Sequence, residues 1–205
     1  MVYIGALALS GGRGGRLNVI TADAPKPYKR FTGKYRLIDW TLTNIARTNA
    51  LHDKATSIDD VIVAVQFEAD KLIEHIGSGA EWGFTADNPL SSRTISIMGP
   101  KTDIGGMVFY DGTADAARKT MPSMKKHGWS HSLILSADHV YASDYAGFID
   151  NHFKTNADFS IMVLPVEESK VKDLGILKLD SNGRIISFTE KPQQPEIIDE
   201  YRIPD

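Results

Sequence analysis

The chain has 205 residues, of which 42% are hydrophobic and 24% charged, a composition typical of one ordinary globular domain. Its 23 basic and 26 acidic residues give a formal net charge of −3, which argues against a protein that binds nucleic acid through bulk charge. The sequence contains no cysteine, which excludes disulfide scaffolds, thiolate metal sites and cysteine nucleophiles.

The first predicted element is a strand over the apolar run Met1–Leu9, which leads directly into a glycine-rich loop, LSGGRGGRL. No basic segment precedes this run, so it is not predicted to be a signal peptide. No stretch approaches the roughly 18 apolar residues that cross a bilayer. We therefore expect a cytoplasmic protein with no membrane partner and no nucleic-acid partner.

The glycine-rich loop has the residue types that suit a phosphate group. Its four glycines allow backbone N–H groups to approach a ligand closely, and its two arginines offer planar donors for phosphate oxygens. The link that follows, DAPKPYKRF, is predicted to be extended around Lys26, because Pro25 and Pro27 disfavour a helix. A helix is then predicted over Ile38–Thr48, where apolar residues recur at helical spacing.

The rest of the chain alternates between strand and helix patterns. Continuous apolar runs predict strands at Asp60–Gln66, Thr94–Met98, Ser132–Asp138 and Phe159–Val166. Helical spacing predicts helices at Glu68–Gly77, Thr113–His127 and Ser143–Thr155, with a kink or break at Pro122 in the second. An Asn182-Gly183 pair between two alternating runs predicts a β-hairpin near the C-terminus.

This order of elements predicts an α/β fold with a mainly parallel, mixed sheet, helices on both faces and a C-terminal β-hairpin. One domain over residues 1–205 is expected. Ligands of such folds bind at the carboxyl ends of the strands, and the glycine-rich loop follows the first strand at that end. The loop is therefore the first candidate for a binding site.

Two common phosphate-binding templates do not fit the loop. The dinucleotide pattern G-x-G-x-x-G matches Gly12 and Gly14 but meets Leu17 at its last position. The P-loop pattern requires Lys and then Ser or Thr after its last glycine, whereas Gly15 is followed by Arg16. A surface turn without a ligand is the simpler alternative, and the position of the loop between a buried strand and a helix counts against it.

Five motifs, in the same order, resemble those of the sugar-1-phosphate nucleotidyltransferases. The loop resembles their G-G-x-G-[TS]-R-L signature, and the family's lysine-proline pair and helix start follow it as Lys26-Pro27 and KYRLID. YDGTADA, LSADHVYASDY, LGI and EKP then occur in the family's order. The KYRLID and GTADA segments look most like the adenylyltransferases of this family that act on glucose 1-phosphate.

The resemblance implies a Rossmann-like nucleotidyltransferase domain and an Mg²⁺-dependent enzyme of glycogen synthesis, with ATP and glucose 1-phosphate as substrates. In this reaction the sugar phosphate attacks the α-phosphorus of the triphosphate, and pyrophosphate leaves. The catalytic residues that it implies are Arg16 for the leaving pyrophosphate, Lys26 for the α-phosphate and Asp138 as the metal ligand. The implied nucleotide-binding residues are Gly11, Gly12, Gly14, Gly112 and Asp115. The implied sugar-phosphate-binding residues are Tyr110, Gly175, Glu190 and Lys191.

Simpler interpretations of several of these residues stay open. Lys26 can be a solvated loop charge, and Asp138 can cap a turn. Asp115 can cap a helix. Glu190 and Lys191 can form a surface ion pair at the end of the hairpin.

The sequence also departs from the family pattern. The base-reading glutamine of an L-P-x-Q motif is missing, and MGPKTD places Lys101 near its position. One alternative is therefore a nucleotidyltransferase for another base or sugar, such as a uridylyl or thymidylyl enzyme. Another is a non-catalytic regulatory or nucleotide-sensing subunit.

Members of this family continue past the EKP motif to a second metal-binding aspartate and a left-handed β-helix domain that supports tetramers. The present sequence ends at Asp205. We therefore expect a catalytic domain that is incomplete at its C-terminus and turns over poorly or not at all. For the full-length protein we expect a homo-tetramer.

Overall fold

The computed structural model describes residues 2–11, 24–52, 55–86, 93–103 and 106–203. These residues form two compact units, Met1–Asp158 and Phe159–Asp205. The first contains the main sheet with the helices that cover it, and the second contains a β-hairpin and a short helix. Across the described ranges, we find no helix with the length and apolar character needed to cross a membrane.

Strands and helices alternate through the first unit, as the sequence predicts. Over both units, the strands of the described residues are β1 (Ile4–Leu9), β2 (Arg30–Phe31), β3 (Tyr35–Arg36), β4 (Ile58–Ala64), β5 (Thr85–Ala86), β6 (Thr94–Met98), β7 (Lys101–Asp103), β8 (Gly106–Val108), β9 (His131–Ser136), β10 (Gly175–Leu179) and β11 (Ile185–Glu190). The helices are α1 (Leu37–Leu51), α2 (Asp70–Ile76), α3 (Thr113–Lys126), α4 (Ala146–Lys154) and α5 (Pro195–Glu200). Segments of 3₁₀ helix lie at Lys26–Tyr28, Ala80–Trp82 and Glu168–Asp173.

A five-stranded parallel sheet in the order β5-β6-β4-β1-β9 forms the centre of the first unit. β1 lies in the interior of this sheet because its sequence, IGALAL, presents apolar side chains to both faces. Leu7 is opposite Ile62 of β4 on one side and Ile134 of β9 on the other. The predicted α/β fold with a mainly parallel sheet is confirmed.

Helices cover both faces of this sheet, also as predicted. Successive residues of a strand point to opposite faces, so β1 and β4 each contribute to two clusters. One cluster joins the strands to α1, α2 and α4 through Ala6, Val63, Leu42, Leu72 and Ile149, among others. The other joins Leu7 and Ile62 to Met124 of α3. Burial of one such leucine or isoleucine contributes about 1.5–3 kcal/mol, so these contacts fix the helices on the sheet.

Helix α3 runs through Pro122 without a break, so of the predicted kink or break the break is excluded and the kink stays a prediction. Proline removes one backbone hydrogen bond and crowds the carbonyl four residues earlier, which costs about 3 kcal/mol. Ala116, Thr120 and Met124 lie one turn apart on a buried face of the helix, and their burial offsets this cost.

The segment Lys26–Tyr28 forms one turn of 3₁₀ helix, so the predicted extended backbone around Lys26 is wrong. Pro25 precedes the turn, and Pro27 is its second residue, where a helix needs no N–H donor. The Tyr28 N–H donates to Pro25 O at 3.0 Å, and the Lys29 N–H donates to Lys26 O at 2.9 Å. The two prolines therefore favour a tight turn and do not exclude it.

The second unit contains the predicted hairpin, formed by the antiparallel pair β10 and β11. In its connection Gly183 has φ +78°, a left-handed conformation that favours glycine. The Asp180 carboxylate accepts hydrogen bonds from the N–H groups of Asn182 and Arg184. The hairpin prediction from the Asn182-Gly183 pair is confirmed.

The segment 159–166 is not a strand, so this prediction is wrong. A strand needs hydrogen bonds to a neighbour, and no sheet of the described residues includes this segment. Its apolar side chains are largely exposed, with Phe159 at 69% and Leu164 at 84%. Apolar composition alone therefore does not produce a strand here.

Candidate active site

A cavity of about 530 Å³ opens in the first unit at the carboxyl ends of β1 and β9. Its volume lies in the usual range of small-molecule sites, and its place in the sheet is where parallel α/β folds bind ligands. The walls come from the strand ends, the 3₁₀ turn and the N-terminal end of α3. The lining residues are Leu9, Ser10, Gly11, Lys26, Pro27, Gln66, Phe67, Tyr110, Asp111, Gly112, Thr113, Ala116, Ser136 and Asp138.

Lys26 and Asp138 form an ion pair in this cavity, although 112 positions separate them in the sequence. Lys26 Nζ donates to Asp138 Oδ2 at 2.7 Å, and the Ser136 hydroxyl donates to Oδ1. The side chains of Lys26 and Asp138 are 33% and 27% exposed. A ligand in the cavity can therefore reach both charged groups.

The pKa of Asp138 lies below its ordinary value. Partial burial alone would raise the pKa, because it disfavours the charged form. Hydrogen bonds from Lys26 and Ser136 outweigh this effect, and the charges of Lys26 and His139 act in the same direction. Asp138 is therefore ionised at neutral pH, which suits it to bind a cation.

Gly11 and Gly112 bring the backbone to the cavity from two sides. Gly11 follows the end of β1, and a Cβ at this position would lie 3.4 Å from the Gln66 side chain. Gly112 precedes α3 with φ +147°, a conformation that favours glycine. Both glycines thus lie where exposed backbone N–H groups could bind a phosphate, and their contact with a nucleotide stays a prediction.

Gln66 holds the loop that leads to Gly112. Its Oε1 accepts a hydrogen bond from the Tyr110 N–H at 2.8 Å, and its Nε2 donates to Tyr110 O at 3.2 Å. The Tyr110 hydroxyl donates to Gly99 O at 3.1 Å. Burial, followed by the charge of Asp115, raises the pKa of Tyr110. Tyr110 therefore lines the cavity as a neutral side chain bonded to backbone.

Asp115 supports this loop from outside the cavity lining. Its carboxylate accepts a hydrogen bond from the Asp111 N–H at 3.1 Å and forms ion pairs with Arg118 and Lys119 at 2.6 and 2.7 Å. The hydrogen bond from Lys119, then those from Asp111 and Arg118, hold the pKa of Asp115 far below its usual range. In this structure Asp115 shapes the turn before α3, and its predicted role as a nucleotide ligand stays a prediction.

Gly175, Glu190 and Lys191 lie together in the second unit. Gly175 is opposite Glu190 in the hairpin, and a Cβ on it would lie 2.8 Å from Glu190 Oε2 and from the Phe188 ring. Lys191 has φ +47°, which is uncommon for a residue with a side chain, and its N–H donates to Leu174 O. Glu190 and Lys191 form an exposed ion pair at 3.4 Å. Their contacts with a sugar phosphate stay predictions.

The structure brings together some of the predicted site residues and not others. Those that line the cavity are Gly11, Lys26, Tyr110, Gly112 and Asp138. Asp115 lies outside the cavity lining, and Gly175, Glu190 and Lys191 belong to the second unit, where their predicted roles are untested. Gly12, Gly14 and Arg16 lie outside the described residues, and their predicted roles are untested.

Nine of the lining residues were not among the predicted site residues, and they include Gln66, Phe67, Asp111 and Ser136. Gln66 is the last residue of a predicted strand and Ser136 is the last residue of β9, and such a position at a strand end is the signal that could have identified them. Asp111 is the variable residue of the YDGTADA motif and has no signal of its own. Position at a strand end is therefore a better guide here than residue type.

The residues present fit a magnesium ion held by a single protein carboxylate. Mg²⁺ prefers oxygen ligands and commonly combines one or two carboxylates with substrate phosphates and water. A carboxylate offers about four acceptor positions, so Asp138 keeps acceptor capacity beside its bonds to Lys26 and Ser136. Within the described part of the chain, no three His, Asp or Glu side chains are grouped to hold a metal by themselves. The predicted Mg²⁺ would therefore depend on phosphate oxygens as well as on Asp138.

A comparison with protein families agrees with this geometry. The family model described as nucleotidyl transferase matches residues 5–202, which is nearly the whole chain and includes both units. The match supports a transferase that moves a nucleotidyl group onto a sugar phosphate. Together with the cavity at the strand ends, it establishes that the chain belongs to the nucleotidyl transferase family.

Proposed function

We propose that this protein is a glucose-1-phosphate adenylyltransferase, which forms ADP-glucose and pyrophosphate from ATP and glucose 1-phosphate for glycogen synthesis. The observation that carries the proposal is the Lys26–Asp138 pair in an open cavity at the strand ends. A reaction between two phosphate groups requires positive charge, which the lysine supplies directly and the ionised carboxylate supplies by holding a divalent cation.

In the proposed step a phosphate oxygen of glucose 1-phosphate attacks the α-phosphorus of ATP. The new P–O bond forms as the bond from the α-phosphorus to the bridging oxygen of the β-phosphate breaks, and that oxygen leaves with pyrophosphate. Negative charge accumulates on the oxygens around the α-phosphorus. Such a transfer needs positioning and charge neutralisation more than covalent help from the protein.

Lys26 supplies the positive charge for this step. Its ammonium group is tethered at one end by Asp138, yet about a third of the side chain is exposed to the cavity. Exchange of one carboxylate oxygen for a phosphate oxygen would keep the ammonium paired throughout the reaction. Lys26 would thus neutralise the α-phosphate most strongly in the transition state, where negative charge accumulates on its oxygens.

Asp138 would hold Mg²⁺ together with phosphate oxygens, and the bound ion would supply further neutralisation of phosphate charge. The carboxylate is ready for this role because its pKa is lowered, so it needs no deprotonation at neutral pH. The Ser136 hydroxyl fixes the orientation of the carboxylate by its bond to Oδ1. These two residues therefore prepare the cation site before substrate arrives.

The choice of adenine and glucose rests on the resemblance of the KYRLID and GTADA segments to the adenylyltransferases of the family. GTADA forms the wall where Gly112 and the start of α3 meet the cavity. By the same resemblance we assign Gly175, Glu190 and Lys191 to the sugar phosphate and Arg16 to pyrophosphate.

The test is release of pyrophosphate from ATP, UTP and dTTP, each with glucose 1-phosphate and Mg²⁺. We expect ATP to give the highest kcat/KM, and the Lys34→Ala variant to match the wild type, because Lys34 is exposed and does not line the cavity. Equal or faster turnover with UTP or dTTP would assign another base. Binding of ATP without any turnover would instead support a nucleotide-sensing subunit.

A further inference from the structure

A second polar cluster holds the turn that carries Lys26, and it lies outside the cavity lining. It consists of Tyr28, Arg36, Asp39 and His75, which we call the brace. Tyr28 is the last residue of the 3₁₀ turn that begins at Lys26. Arg36 precedes α1, Asp39 lies in its first turn, and His75 lies near the end of α2.

Arg36 contacts Tyr28 in two ways. Its guanidinium carbon lies 3.6 Å from the centroid of the Tyr28 ring, and its Nη1 donates to Tyr28 O at 3.0 Å. The first contact fixes the ring and the second fixes the backbone. Because Tyr28 is two residues from Lys26, a shift of the Tyr28 backbone would shift the Lys26 ammonium as well.

Asp39 links the two helices behind this contact. Its side chain is 10% exposed, and its Oδ2 accepts a hydrogen bond from the Arg36 N–H at 2.8 Å. Its Oδ1 is 2.5 Å from His75 Nε2. The His75 ring also meets the Tyr28 ring edge-on at a centroid distance of 6.3 Å. The four side chains therefore contact one another in a ring, which connects the turn to both α1 and α2.

We propose that the brace positions Lys26 for its role at the α-phosphate, an inference that rests on the proposed function. Among the described residues, the backbone hydrogen bonds within the turn run from Tyr28 to Pro25 and from Lys29 to Lys26, and the Leu37 N–H donates to Lys29 O. A turn of this length does not by itself fix a lysine side chain within the fraction of an ångström that phosphoryl chemistry needs. Asp39, Arg36 and His75 supply the missing restraint from outside the cavity, so they act on the reaction only through Lys26.

The first test measures Lys26 directly and needs no turnover. Trace labelling of amines with acetic anhydride, followed by mass spectrometry, reports how firmly each lysine is paired. In His75→Phe, which keeps an aromatic ring but removes the donor to Asp39, we expect Lys26 to label about two- to fivefold faster. Lys34 in the same protein serves as the internal reference. His75→Gln, whose amide can replace Nε2 as a donor, should restore the slow rate.

A second variant tests the same inference in case His75→Phe does not fold. Arg36→Met removes the bond to Tyr28 O at a partly exposed side chain and leaves the core unchanged. It should accelerate the labelling of Lys26 in the same way. If Lys26 labels at the wild-type rate in both Arg36→Met and folded His75→Phe, the brace does not position it and the inference is overturned.

The second test uses turnover. We expect His75→Phe to lower kcat by about tenfold or more with little change in KM, because the brace does not line the cavity. In a Lys26→Ala background the same change should have no further effect on kcat, since its target is gone. Additive losses in that background would contradict the inference, and so would a loss confined to KM.

The matched control is His127→Phe, which breaks another histidine–aspartate pair of the first unit, from His127 Nδ1 to Oδ2 of the buried Asp60 at 2.6 Å. It should lower stability but leave both the labelling of Lys26 and the kcat of folded protein unchanged. If His75→Phe and His127→Phe accelerate the labelling of Lys26 equally, the brace contributes only to stability and the inference is overturned. If the wild-type chain neither binds ATP nor turns it over, the proposed function fails while the labelling rates still decide whether the brace holds Lys26.

Discussion

An aspartate lies at each end of the main sheet, and the two differ in burial and in hydrogen bonding. Asp60, near the amino end of β4, is fully buried, and both of its carboxylate oxygens accept hydrogen bonds, from Thr94, His127 and Trp129. Asp138, beyond the carboxyl end of β9, is partly exposed and faces the cavity. A carboxylate whose donors enclose it stabilises the fold, whereas one that faces open space can exchange a protein partner for a ligand.

The largest effect is expected at the carboxyl end, on activity. Lys26→Ala removes the proposed charge at the α-phosphate and should lower kcat roughly 100- to 1,000-fold. Its ion pair with Asp138 is partly exposed, so the free energy of unfolding should fall by only about 1 kcal/mol or less. Steady-state kinetics and urea denaturation of the same samples measure both. A large loss of stability with normal kcat would reverse the assignment of the two ends.

At the amino end the expected loss is in stability. Asp60→Leu leaves the donors of His127 and Trp129 without their carboxylate, and should lower the free energy of unfolding by about 3 kcal/mol. Asp59→Leu, a change at a neighbouring side chain that is 28% exposed, is the control and should cost less than half as much. Urea denaturation compares them. Equal losses, or a fall in kcat per folded molecule of Asp60→Leu, would contradict the division between the ends.

Packing at the amino end gives a smaller, third effect. A Cβ on Gly5 would lie 1.9 Å from Trp129, the tryptophan that donates to Asp60, so Gly5→Ala should cost about 2 kcal/mol through displacement of the ring. Gly147 in α4 has no described atom within 4 Å of its added Cβ. There the same substitution should stabilise the protein by about 0.5–1 kcal/mol, as alanine favours helix. Thermal unfolding should show shifts of opposite sign.

The smallest effect is the pH dependence contributed by Asp138. Because its pKa is lower in the folded state, its contribution to stability is complete above the unfolded pKa of about 4 and is lost as the pH falls through the folded value. Asp138→Asn should therefore reduce the acid-induced loss of unfolding free energy by about 1 kcal/mol or less. Urea titrations between pH 6 and pH 3 measure the difference. Identical pH profiles for wild type and variant would contradict the lowered pKa.

The sequence predicts where the strands and helices lie better than it predicts which strands pair with each other. Apolar runs identify β1, β4, β6 and β9, and of these β1 and β4 are buried on both faces. The order of the strands in the sheet could not be predicted from the sequence, because the pairing of β1 with β9 depends on contacts between distant parts of the chain. The two wrong predictions, at Lys26 and at 159–166, share one cause. In each, local propensity was weighed without the packing or pairing that decides the outcome.

The candidate site divides in the same way. Motifs and strand ends pointed to Lys26 and Asp138, which the structure joins at 2.7 Å. The residues that hold the site in shape had no such signal. Gln66 acts on a backbone 44 positions away, and Asp39 meets His75 across 36 positions, so neither contact follows from spacing.

The central place of β1 has a consequence for how the protein is made. Its edge is completed by β9, and the first contacts of that pairing join Tyr3 to Ser130, which are 127 residues apart. At a synthesis rate of about 5–20 residues per second, the ribosome needs on the order of 6–25 s to extend the chain from one to the other. During that interval the apolar side chains and open hydrogen-bonding edge of β1 have no β9 to cover them, so the nascent chain is exposed to aggregation before its binding cavity exists.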